Sequence, residues 1–111
     1  MPTTSALVAA ATEVFVPAIV LGELYFGALK SGRIEENIGR IEQFATGSSV
    51  LECTAETAQH YGQLKAWLSE QGRSIPDNDL WIAALAQQHE LHVVTRDQHF
   101  REVEGLEIVP Y

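Results

Sequence analysis

The chain has 111 residues, enough for one domain with one real core, and its 46% hydrophobic and 20% charged composition is ordinary for a globular protein. The formal net charge of -8 has the wrong sign for gripping nucleic acid through a broad basic surface, although an acidic pocket can hold divalent cations that meet phosphates. No apolar run approaches the roughly 20 residues of a membrane span. No basic flank precedes the Ala-rich start as a secretory signal requires, and the single Cys53 excludes an internal disulfide, which fits a reducing cytoplasm.

In chain order, residues 4–12 read as a short Ala-rich helix or its remnant. "VFVP" at 14–17 is β-branched and aromatic and predicts a short buried strand. Pro17 then suits the first turn of a helix, where its missing N–H needs no partner, and that helix runs to about Lys30. Ile34, Ile38, Ile41 and Phe44/Ala45 recur at helical spacing until Gly47, and "SSVLEC" follows as a strand candidate. Thr54 is an N-cap for "AETAQHYGQLKAWLSEQG", whose apolar face is Ala58, Tyr61, Leu64/Lys65 and Leu68, and Gly72 stops it. Asp77 is placed to cap a further helix carrying Leu80, Ala83, Ala84 and Ala86/Gln87. "LHVVT" predicts a strand, "RDQH" a polar turn, the stretch around Phe100 a short turn or helix, and "LEIVP" the last strand. This alternation predicts a single α/β domain over residues 1–111 with a mostly parallel sheet.

Three acids stand in unusual places. Glu23 is the only charged residue between Pro17 and Leu29, in the middle of an apolar helix. Asp79 begins a helix directly before "LWIAALA", and Asp97 follows the strand "LHVVT". Ligand sites in open parallel sheets form beyond the carboxyl ends of strands, which is where chain order puts Asp97 and the helix start carrying Asp79. Each acid has an ordinary alternative: a half-exposed helix residue, a helix-start acid facing the macrodipole, a turn residue. Together they form an oxygen donor set of the kind that suits Mg²⁺ or Mn²⁺. Buried carboxylates are costly unless paired or metal-bound.

Other constellations are weaker. In "HELH", His89 ends a helix and His92 begins a strand, so the spacing of a zinc pair is lost, with His99 further on. "DND" at 77–79 has the spacing of a phosphatase motif but follows "GRSIP" rather than a strand. There is no Gly-rich phosphate loop and no strand–Ser–helix elbow. Trp67 and Trp81 read as packing residues.

"VPAIVLGELYFGALKS" and "YGQLKAWLSEQGRSIPDNDLWIAALAQQHELHVVTRDQHFREVEGLEIV", with the spacing between them, resemble PIN-domain ribonucleases, in particular the VapC toxins of bacterial toxin–antitoxin pairs. The likeness covers the chain from about Val14 to Tyr111 and rests on "GEL", "IPDND" and "TRD" occurring in that order. It implies a three-layer α/β/α fold and a rim cluster of acids. Carried over residue by residue, those acids are Glu23, Asp79 and Asp97, with Thr95 in a supporting position. It also implies a bound Mg²⁺ or Mn²⁺, RNA as substrate, a small antitoxin as partner and a homodimer in the cytoplasm. Arg73 and Arg96 are candidates for phosphate contact.

The chain departs from that pattern at its start. VapC-like chains open with a short apolar strand ending in an aspartate, and no such aspartate occurs here; the first acid is Glu13, before "VFV". The resemblance therefore implies that the first, central strand is missing and the domain N-terminally truncated. That leaves a second reading open: a catalytically impaired scaffold that only binds an antitoxin or another protein.

Overall fold

The computed structural model describes residues 6–9, 14–95, 100, 103 and 108–109. Within them the order is β1 (Ala6–Ala9), β2 (Val14–Pro17), α1 (Ala18–Leu29), α2 (Ile34–Thr46), β3 (Ser49–Leu51), α3 (Ala55–Glu70), α4 (Asp77–Gln88), β4 (His92–Thr95) and β5 (Ile108–Val109). The strands form one sheet in the order β3-β2-β1-β4-β5. β2 pairs parallel with β3, and β4 parallel with β5. β1 lies between β2 and β4 and runs antiparallel to both, so the four outer strands share one direction.

The α/β class and the mostly parallel sheet are therefore as the sequence predicts, but the chain's start differs. Residues 6–9 are a strand and not part of an Ala-rich helix, and the central position of the sheet is filled rather than vacant. The reason is the ladder itself. β2 and β4 each present a row of backbone donors and acceptors that would be costly to leave buried and unpaired. The segment "ALVA" satisfies both, in a register that sets Val8 opposite Phe15 and Val93. Val8 is completely buried there.

Each helix has a local cause. Pro17 ends β2 in an extended conformation and serves as N-cap of α1, so it stands one step before the first turn predicted for it. In α3, Thr54 and Thr57 form a capping box: the Thr54 hydroxyl accepts from the Thr57 N–H, and the Thr54 N–H donates to Thr57 Oγ1 at 2.9 Å. The Thr57 hydroxyl also donates to Gln88 Oε1 at the far end of α4, tying the two helices together. Gly72 takes φ +70°, the left-handed conformation that only glycine adopts without strain, and lets the chain turn after α3.

α4 is the most buried helix. Leu80, Ile82, Ala83, Ala84, Leu85 and Ala86 are all inside, so apolar residues surround its axis instead of forming the single face that the spacing suggests. It touches β1 and β4 on one side, α3 on another and α1 besides. The small side chains of its three alanines allow this close approach. α1 packs on β2 and α2, and the core continues through Val16, Val20, Leu24, Ala28, Ile41, Leu64, Leu68, Val93, Phe100 and Val103. Among the described residues, no helix is long and apolar enough to cross a membrane.

Candidate active site at the carboxyl rim

Chain direction brings the candidate acids to one edge. α1 starts immediately after the carboxyl end of β2, and Glu23 lies in its second turn. α4 finishes just before β4 begins, so α4 runs back across the sheet with its N-terminus near the carboxyl end of β4. Asp79 is in that first turn. Because β1 is reversed, its first residue, Ala6, pairs with Thr95 at the same edge. The strand therefore presents its amino end, without a carboxylate among its described residues, where its neighbours present their carboxyl ends.

Glu23 and Asp79 sense one another. Glu23 has its carboxyl pushed above the ordinary value of 4.5, first by partial burial and then by the negative charge of Asp79. The Asn78 side chain hydrogen-bonds Glu23 and acts in the opposite direction, favouring the ionised form. Glu23 keeps an exposed side chain, whereas Asp79 is only 7% exposed, so the pair spans from the protein interior to solvent. The helix N-terminus around Asp79 offers a positive dipole end that favours a carboxylate. The donor set is hard oxygen with one supporting amide, and its mutual repulsion is of the kind a divalent cation relieves.

The fold brings Glu23 close enough to Asp79 to feel its charge, and it adds Asn78, which the sequence reading did not single out. Its signal was its position, directly before Asp79 in "IPDND". Asp77 behaves differently from expectation. Pro76, not Asp77, is the N-cap of α4, and no side chain caps the helix. Asp77 instead accepts from the Tyr61 hydroxyl at 2.9 Å and pairs with Lys65 Nζ at 3.5 Å. The Tyr61 ring stacks on Trp81 with centroids 4.1 Å apart. Proline supplies the helix start through its fixed φ, which frees Asp77 to pair across to α3. Trp81 is a packing residue, as read.

Asp97 and Arg96 lie outside the described residues, as does His99. Thr95 ends β4. Arg73 is exposed in the turn between α3 and α4 and is already engaged with neighbouring groups. Among the described residues, no three His, Cys, Asp or Glu side chains converge into a metal-holding group. Among the described residues, Glu23 and Asp79 are thus a pair and not part of a larger acidic cluster.

The PIN domain family matches residues 3–106 of the chain. Ribonuclease VapC2 of Haemophilus influenzae is 40% identical over 87 residues, which cover 78% of this chain and 66% of that protein. The tRNA(fMet)-specific endonuclease VapC of Shigella flexneri is 38% identical over 92 residues, 82% of this chain and 70% of the relative. Among solved structures, VapBC-1 from nontypeable Haemophilus influenzae superposes with a TM-score of 0.84 at 29% identity, over 92% of this chain and 77% of the other. VapBC2 from Rickettsia felis, bound to a DNA fragment from its promoter, does so with 0.81 at 29% identity, over 86% and 73%. The match thus spans a little under two thirds of the first of these relatives.

Proposed function

This chain belongs to the PIN-domain family, among the relatives of VapC, and on that premise we propose that it is a metal-dependent endoribonuclease, the toxin of a VapBC-type toxin–antitoxin pair. The observation that carries the reading is the Glu23–Asp79 pair at the carboxyl rim: two carboxylates, of which Glu23 resists ionisation first through its partial burial and then through the charge of Asp79.

Glu23 and Asp79 would hold the cation, Mg²⁺ or Mn²⁺, with Asp97 as third carboxylate and Thr95 in support. A cation of this class lowers the pKa of bound water and offsets charge on a phosphodiester in in-line displacement. The chain's own residues do the rest. Asp79 lies buried in the first turn of α4. Glu23 projects from α1 toward solvent with its ionised form supported by Asn78. Arg73 and Arg96 are the candidate contacts to flanking RNA phosphates. No side-chain nucleophile is required. Acting on RNA, the protein would work in the cytoplasm.

A partner belongs to the same proposal. Phe26 and Leu29 at the end of α1 are 64% and 59% exposed, and Ile34 at the start of α2 is 42% exposed. Exposed large apolar residues grouped on neighbouring elements mark an interaction surface. It suits a second copy of this chain or a small antitoxin.

The test is cleavage of a tRNA pool that includes tRNA(fMet), with Mg²⁺, with Mn²⁺ and with a chelator. Metal-dependent cleavage lost in the Glu23→Gln variant supports the proposal; cleavage unaffected by chelator contradicts it. A second reading, a protein-binding scaffold that does not cut, is favoured by the central strand, whose described residues bring no carboxylate to the rim. Tight binding of an antitoxin without measurable metal binding would select that reading.

A further inference from the structure

Between α3 and α4 lies a groove of about 310 Å³ lined by Gln63, Leu64, Trp67 and Gln87, which the proposed chemistry does not use. It is separate from the Tyr61–Trp81 stack, since Trp67 follows Tyr61 by six residues and so lies about 120° around the helix. Leu64 is buried, while Trp67 and Gln87 are half-buried. Among the described residues, the Trp67 indole N–H and the Gln63 carboxamide have no hydrogen-bond partner. Gln87 has one, His60, whose Nδ1 is 3.3 Å from Oε1. Half-buried indoles ordinarily find a partner for their N–H.

The lining therefore offers a flat aromatic face and two carboxamides, each able to donate and accept, with no formal charge among its residues. Nothing in it would hold a phosphate or carboxylate. A neutral heteroaromatic ring with polar edges is the ligand such a surface fits: stacking is tolerant of ring identity, and amides read the edge.

We propose that this groove is a nucleobase-binding subsite, with Trp67 as stacking platform and Gln63 and Gln87 contacting the base edge. The choice of ligand rests on reading the chain as a protein that acts on RNA. Gln87 stands eight residues beyond Asp79 on α4, about 12 Å along the axis. A base held here thus belongs to a nucleotide flanking the scissile phosphate rather than to the one being cut.

The experiment follows the two indole N–H resonances of the ¹⁵N-labelled full chain as Glu23→Gln, without divalent metal, assigned by comparison with Trp67→Phe. The probes are adenosine, cytidine, ribose 5-phosphate and a short single-stranded RNA. A saturable shift of the Trp67 signal with nucleosides, with the Trp81 signal still and ribose 5-phosphate silent, supports the subsite. Trp67→Ala should then bind roughly 5- to 150-fold more weakly. Gln87→Leu, which leaves the packing volume nearly unchanged, should flatten the preference between bases. A stronger response to the oligonucleotide than to nucleosides identifies RNA as the source of the base, and the reverse identifies a free nucleoside. Silence with every probe, or an equal response to ribose 5-phosphate, overturns the proposal. Since the Glu23→Gln variant is used throughout, a failure of the nuclease reading leaves this result intact, and a silent groove leaves the cleavage assay to be judged alone.

Discussion

Glu23 resists ionisation first because it is partly buried and then because of the charge of Asp79, while the amide of Asn78 acts the other way. Its folded pKa is raised, so the folded protein holds this proton more tightly than the unfolded chain does. The stabilisation is present below the ordinary value of 4.5 and is lost as pH rises through the elevated folded value. Without metal, Glu23→Gln should therefore melt a few degrees higher than the parent at neutral pH and at nearly the same temperature near pH 4. Thermal unfolding in chelator at the two pH values checks this, and an unchanged or lowered melting temperature at neutral pH would mean that the site does not penalise the ionised Glu23 carboxylate. The unusual placing of Glu23 was visible in the sequence because one charge among apolar neighbours breaks a helical pattern. Asn78 was not, because an amide beside two aspartates breaks none. Its role exists only once α1 and α4 meet.

At the scale of elements, the N-terminal half of α3 holds both ends of α4, by Thr57 to Gln88 and by Tyr61 to Trp81 and Asp77. Thr57 is fully buried and serves the capping box and the contact to Gln88 at once. Thr57→Val keeps its shape but orphans the Thr54 N–H and the Gln88 carbonyl, and should cost about 1–3 kcal/mol in denaturant unfolding. A loss below about 0.5 kcal/mol would show that water replaces both bonds. The ends of α3 were legible because capping is local: the Thr54 hydroxyl accepts from the Thr57 N–H a turn away, and Gly72 turns the chain through its own backbone. What α4 buries was not legible from spacing. Its periodicity suggests one face, yet the sheet, α3 and α1 together cover it almost all round. Similarly, Asp77 looked like a cap because the type of residue fits, and only the approach of Tyr61 and Lys65 shows where its carboxylate goes.

For the whole molecule, the strand direction and the surface matter most. The parallel relation of β2, β3, β4 and β5 followed from alternating helices and strands, but the reversed β1 at the centre could not be read from "ALVA", which carries no directional signal. The apolar residues Phe26, Leu29 and Ile34 left outside by the fold predict self-association or capture of a partner chain. Phe26→Glu with Leu29→Glu should weaken a homodimer by about tenfold or more in sedimentation experiments, and unchanged association would place the interface elsewhere. The rim acids carry the proposed chemistry. Single-turnover cleavage of RNA, with Mn²⁺ supplied and with it chelated, should be compared between the parent and an Asp79→Asn variant whose fold is verified by circular dichroism. Cleavage should depend on metal and fall by about 100-fold or more in the variant. Equal cleavage by the two proteins, or cleavage that persists without metal, would contradict it.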